Sequence, residues 1–187
     1  MKKIFFIVFL FLNQSQNIFS QEFKLQEAIN GLNSPWSLSF ISNDRVIATE
    51  KSGNLMLIDF NINEIKKIKH NLNILEDGQG GLLEVLYFKN QVFVSYSEDL
   101  KKGYSTTSVA KANFNENELN FQNIFRAEPP INSGYHFGSR LVIKDNLLYI
   151  TAGERGKGMI AQDPTKHPGS IIRIHLDGKI PKDNPKF

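Results

Sequence analysis

Cysteine is missing altogether from the 187 residues. Its absence removes a disulfide-stapled fold, thiolate metal sites and a cysteine nucleophile. An excess of one charge is missing too. The formal charge is +3, and setting aside Lys2 and Lys3, which lie in a segment expected to be removed, leaves +1. Such a balance offers no basic surface for nucleic acid and no patch for an anionic membrane. The short basic run Lys66, Lys67, Lys69 reads as a solvated strand end or loop. Carboxylates spaced as in a calcium-binding EF-hand do not occur, and His70, His167 and His175 lack zinc-ligand spacing. These histidines read as surface or loop residues, and no metal site is expected in this chain.

Long apolar runs are scarce. The one unbroken run, Ile4 to Leu12, falls well short of the roughly 20 residues that span a bilayer. It follows Lys2-Lys3 and precedes a polar stretch, Asn13 to Asn17, and a small residue at Ser20. A positive start, a short apolar centre and a small residue at the cut describe a secretory signal peptide over residues 1–20. A buried first strand is the alternative, and the polar stretch after it speaks against that. Residues 21–187 are therefore expected to be exported, periplasmic or secreted, with no membrane contact once the signal is gone.

What is present is strand signal. Short apolar or alternating runs cover 36–41, 45–49, 54–59, 82–88, 91–96, 107–114, 141–143, 147–151 and 170–175. Turn dipeptides separate them: Asn43-Asp44, Ser52-Gly53, Lys89-Asn90, Lys144-Asp145 and Asp177-Gly178. Many short strands with turns between them predict an all-β protein. Only Leu25 to Leu32 has the look of a helical turn, and it is not counted as a helix.

The strands repeat. A hairpin from Trp36 ends at Thr49, a second from Gly81 ends at Ser95, and a third from Phe137 ends at Thr151. These hydroxyl landmarks lie 46 and 56 residues apart, close to the period of about 40–50 residues for a propeller blade. The pattern predicts a β-propeller with about three blades present, where complete propellers run to about 4–8. A β-sandwich with coincidental spacing is the alternative. Asp183 to Phe187 reads as mid-loop sequence, so the chain is expected to be a truncated piece.

Four stretches carry candidate chemistry. Gly78-Gln79-Gly80-Gly81-Leu82-Leu83-Glu84 lets backbone approach closely and presents an amide at Gln79. It lacks the Lys-Ser/Thr of a phosphate-binding loop, and a plain β-bulge is its simpler reading. Tyr135-His136-Phe137-Gly138-Ser139-Arg140-Leu141 puts an imidazole just ahead of an inner strand, where it can take a proton near neutral pH. Taken alone, His136 reads more readily as a loop histidine with a satisfied hydrogen bond. Gly153-Glu154-Arg155-Gly156 offers a carboxylate at a strand end. It can accept from a polyhydroxy substrate, orient the histidine, or pair with Arg140 or Arg155. Ala161-Gln162-Asp163-Pro164 and His167 to Ile174 close the series.

In this order, and together with Pro35-Trp36-Ser37-Leu38, these motifs resemble the soluble PQQ-dependent aldose sugar dehydrogenases of the glucose/sorbosone dehydrogenase family. The resemblance runs from Leu32 to the last residue but covers only about half of the family's domain. It implies a six-bladed propeller that oxidises aldose sugars at C1 to lactones by hydride transfer to PQQ. His136 falls at the family's general base and Gln79 at a position that bonds near substrate and cofactor. Glu154 falls where the family carries an acidic supporter of the histidine, often Asp. Tyr135 stands where some glucose-oxidising members have Asp, which implies broad aldose use. The family's Ca²⁺ and PQQ anchors belong to later blades, so this chain alone is expected to be inactive. A non-catalytic exported propeller module is the rival reading, and a half-propeller that pairs with a second chain is a third.

Overall fold

The computed structural model describes residues 23–185. The export segment expected over residues 1–20 lies outside them. Twelve strands and one short 3₁₀ turn, Gly158–Gln162, make up the regular structure of the described residues. No helix among them is long and apolar enough to cross a membrane.

The first sheet is a meander of β1 (Pro35–Phe40), β2 (Arg45–Glu50), β3 (Leu55–Asp59) and β4 (Glu64–His70), with the two-residue β8 (Glu118–Leu119) added parallel to β4. The second runs β5 (Leu82–Phe88), β6 (Gln91–Asp99), β7 (Ser105–Asn113), β9 (Gln122–Arg126), and the third β10 (Gly138–Lys144), β11 (Leu147–Ala152), β12 (Ile171–His175). These are successive blades of a β-propeller. β5 packs against β1 and β2, and β10 against β5 and β6, so the first strand of each sheet lies beside the first strand of the next.

Alternation of side chains holds the stack. Along β6, Val92, Val94 and Tyr96 meet Ile47, Leu55, Leu57 and Ile68 of the first sheet. The intervening Phe93 meets Leu141, Leu148, Ile150 and Ile174 of the third. A strand buried on both faces needs apolar residues in both registers, and each such side chain contributes about 1.5–3 kcal/mol by leaving water. Glu98 is the charged exception. Burial alone would favour its neutral form, yet hydrogen bonds from Arg126, Ser108 and Asn123 prevail and hold it below the usual glutamate range.

A second device joins the sheets. The first strand of each carries a bulge near its start, between Pro35 and Ser37, Leu82 and Val85, and Gly138 and Leu141. A bulge takes backbone groups out of the ladder, and buried ones need other partners. The hydroxyl landmarks supply them. Thr49 Oγ1 donates to the Leu83 carbonyl of the next sheet at 2.5 Å, and Ser95 Oγ donates to the Ser139 carbonyl at 2.6 Å. Within a sheet the same hydroxyls receive freed amides: Glu84 N–H donates to Ser95 Oγ at 3.1 Å and Arg140 N–H to Thr151 Oγ1 at 2.9 Å.

All nine expected strand segments are present. Three strands had no apolar signature. The lysine run lies in the body of β4 rather than at a strand end or in a loop: Ile68 alone supplies a fully buried side chain there, Lys67 and Lys69 are exposed, and half-buried Lys66 reaches Asn117 Oδ1 at 2.7 Å. β8 is only two residues long, and β9 offers only Ile124 and Phe125 between polar neighbours. Residues 25–32 form no helical turn. His70 and His167 are half-buried structural residues: His70 Nε2 bonds the Gly53 carbonyl at 2.7 Å, and His167 Nδ1 accepts the Glu128 N–H at 2.9 Å.

If the hydroxyl latches join the sheets, Thr49→Val and Ser95→Ala each strand a buried carbonyl and should lower stability by about 1–3 kcal/mol. Urea unfolding measures this, and a loss no larger than that of an exposed Ser→Ala change refutes it.

Candidate active site

Gly78 and Gly81 both have positive φ, at 55° and 154°. A Cβ on Gly81 would meet the Lys51 carbonyl oxygen at 2.1 Å, and one on Gly78 would meet the Gly134 carbonyl oxygen at 2.4 Å. Only glycine allows backbone to lie this close. The 77–81 loop is thereby pressed onto the 133–137 loop, and the Gln79 N–H donates to the Gly134 carbonyl at 2.7 Å. Ser97 on β6 anchors the loop's far end by accepting the Gly81 N–H at 2.7 Å. The stretch is both a bulge and a close-approach loop.

His136 sits on the second loop with φ 49°, a left-handed conformation uncommon outside glycine. Its backbone is held on both sides. The N–H donates to Gln79 Oε1 at 2.8 Å, and the carbonyl accepts the Arg155 N–H at 3.3 Å. The carbonyl also lies so close to Gly153 that a Cβ there would be 1.9 Å away. Gln79 precedes β5, His136 precedes β10 and Glu154 follows β11, so antiparallel meanders bring all three loops to one end of adjacent sheets.

The side chains meet there. His136 Nδ1 bonds Glu154 Oε1, which also accepts the Gly156 N–H at 3.1 Å. Glu154 is held below the usual glutamate range, chiefly by the hydrogen bond from His136. An ionised carboxylate only accepts, so Nδ1 carries the hydrogen, and in a neutral imidazole Nε2 then presents the lone pair. The His136 side chain is 51% exposed. Tyr135 is exposed beside it, its ring edge-on to the imidazole at 6.2 Å. The structure therefore gathers Gln79, Tyr135, His136 and Glu154 at one rim. The arginine pairings considered for Glu154 do not form: Arg140 pairs with Glu84, and Arg155 bonds no carboxylate.

Sequence reasoning missed Arg155 as a site residue. It is 2% exposed. Its Nε donates to the Tyr135 carbonyl at 2.9 Å and its Nη1 to the Ser105 carbonyl at 3.1 Å. Nη2 donates to Ser105 Oγ at 2.8 Å and to the Ser133 carbonyl. The guanidinium also lies 3.6 Å from the Phe137 ring centroid. Burial pushes it down to about 10, with the Asp77 charge opposing, so it stays charged at neutral pH. The signal for it was an arginine fixed between Gly153-Glu154 and Gly156. Which carbonyls it would meet was not readable.

The model of the family described as Glucose / Sorbosone dehydrogenase matches residues 32–187. Aldose sugar dehydrogenase YliI of Escherichia coli K12 is 30% identical over 82% of this chain and 44% of its own length. Quinoprotein glucose dehydrogenase B of Acinetobacter calcoaceticus is 27% identical over 90% of this chain and 42% of its own. The crystal structure of the soluble aldose sugar dehydrogenase from Escherichia coli in its apo form superposes with a TM-score of 0.81 at 29% identity, covering 86% of this chain and 49% of that one. The PQQ-bound aldose sugar dehydrogenase of Streptomyces coelicolor, at 20% identity and a TM-score of 0.76, shares the fold. The chain spans under half the length of the curated relatives it matches.

Because the hydrogen bond holds Glu154 charged, its contribution to stability is present above the ordinary value of 4.5 and is lost as pH falls through the lower folded value. A carbon-13 titration of Glu154 should have its midpoint below 4.5 and move up in His136→Ala. A midpoint unchanged by that substitution would contradict the pairing.

Proposed function

The chain belongs to the glucose/sorbosone dehydrogenase family, and on that footing we propose that it carries the histidine-bearing part of an exported oxidoreductase. The reaction is oxidation of an aldose at C1 to the lactone, with pyrroloquinoline quinone as acceptor and His136 as general base. One observation carries the reading: an imidazole tied to a charged carboxylate through Nδ1, with its backbone N–H held by Gln79, stands exposed where three loops converge.

The donor set suits the task. In its hemiacetal form an aldose carries a hydroxyl and a hydrogen on C1. Removing the hydroxyl hydrogen as a proton and the C1 hydrogen as hydride leaves a carbonyl, and the hydroxyl proton needs a base within hydrogen-bond reach. Nε2 of His136 is that base, and Glu154 stabilises the imidazolium that results while keeping the ring from turning. Gln79 acts on the main chain, fixing where His136 leaves its loop. Tyr135 offers a phenol and an aromatic edge to a polyhydroxy ring. Pyrroloquinoline quinone, when bound, supplies a two-electron acceptor for the hydride. The amide NH2 of Gln79 and the phenol of Tyr135 are donors that suit a flat, carbonyl-bearing ring at the rim, with the His136 imidazole beside them. The cofactor's carboxylates need cations, and the nearby arginines are committed, Arg140 to Glu84 and Arg155 to carbonyls. Ca²⁺ completes the proposal, with ligands that the family resemblance assigns to later blades.

In the intact protein supplied with the quinone and Ca²⁺, aldoses should reduce a dye, and His136→Ala should cut turnover by about 10²- to 10⁴-fold, the usual worth of a positioned base. Undiminished turnover in that variant would remove His136 from the reaction.

A further inference from the structure

Arg155 is the one described arginine that is both buried and without a carboxylate in its hydrogen bonds. A guanidinium in such a place is costly unless its donors are met. Here they are met half by the loop that carries His136 and half by Ser105. Ser133 and Tyr135 accept from it, Phe137 stacks on it, and Ser105 at the start of β7 ties it to the second sheet. The contacts fall on residues 133, 135 and 137, bracketing His136 on both sides without touching the imidazole. The Arg155 N–H meets the His136 carbonyl, and Glu154, the residue before it, meets the imidazole. One residue thus couples the main chain of the histidine to the carboxylate that orients its ring.

We propose that Arg155 is the positioning residue of this site: it clamps the 133–137 loop so that His136 keeps its left-handed backbone and Glu154 stays against Nδ1. The claim rests on the reading of His136 as base, but its own content is the ordering of loop and ring. A lysine cannot replace the clamp in full. It has three donors on a point charge where arginine has five on a plane, and it offers no flat face to Phe137. Ser105 matters as the anchor that keeps the guanidinium from following a moving loop.

Two readouts on the intact protein test this without turnover: amide hydrogen exchange, and the ring nitrogen-15 shifts of His136, which report the tautomer. In Arg155→Met, amides of residues 133–137 and 153–156 should exchange about tenfold faster or more, as loss of charge-assisted hydrogen bonds implies, while core amides of β2 and β6 keep their protection. The ring should pass from a single Nδ1–H form to an average of both tautomers. Ser105→Ala removes one acceptor and should move both readouts the same way by less. It decides the matter alone if Arg155→Met does not fold. Arg155→Lys should fall between wild type and methionine. Unchanged loop exchange with a single tautomer in Ser105→Ala and Arg155→Met overturns the proposal, and so does an equal acceleration in every sheet. Turnover of His136→Ala tests the base separately, so either claim can fail while the other stands.

Discussion

The bulge at the start of each inner strand sets the terms for everything at the rim. It frees a carbonyl and an amide that would otherwise sit in the ladder, in a place where water does not reach. At Leu83 and Ser139 the freed carbonyl is taken by a hydroxyl from the sheet before, at Thr49 and Ser95. The same irregularity turns the chain out of the sheet just ahead of β5 and β10, which is where Gln79 and His136 lie. Stacking and site placement are thus two consequences of one backbone feature.

Above the bulges the loops are held by backbone proximity more than by side-chain packing. Gly78, Gly81 and Gly153 each occupy a spot where a Cβ would fall inside a neighbouring carbonyl oxygen. Removing side chains lets three loops from two sheets share main-chain hydrogen bonds, and that stiffness permits His136 to sit at positive φ. The electrostatics then follow. A charged carboxylate on Nδ1 leaves Nε2 outward and able to accept, and a buried guanidinium behind the loop meets main-chain carbonyls rather than an acid.

Much of the fold was legible because its signals are local. The apolar runs of β2 and β6, the alternating burial of β11 and the turn pairs between hairpins are all read within a few residues, since successive side chains of a strand point to opposite faces. The recurrence of Thr49, Ser95 and Thr151 marked the blades even though their role as latches was not apparent. β4, β8 and β9 were illegible for an equally physical reason. They are short or lie at the outer edge, where one or two apolar residues suffice and the remainder face water. The convergence of Gln79, Tyr135, His136 and Glu154 was expected from family resemblance. The periodicity alone gave His136 only a place near a strand start.

By itself the sequence determined an all-β chain of repeated hairpins, with glycines where backbones must touch and an imidazole and a carboxylate on adjoining loops. Only the tertiary structure decided which acid faces the imidazole. Residues 136 and 154 are brought together by the β10–β11 pairing, and Arg140 and Arg155, both nearer to Glu154 in sequence, are drawn to Glu84 and to loop carbonyls. Spacing along a chain says which groups can meet. Which of several oppositely charged candidates do meet depends on strand register and on what else each one can satisfy.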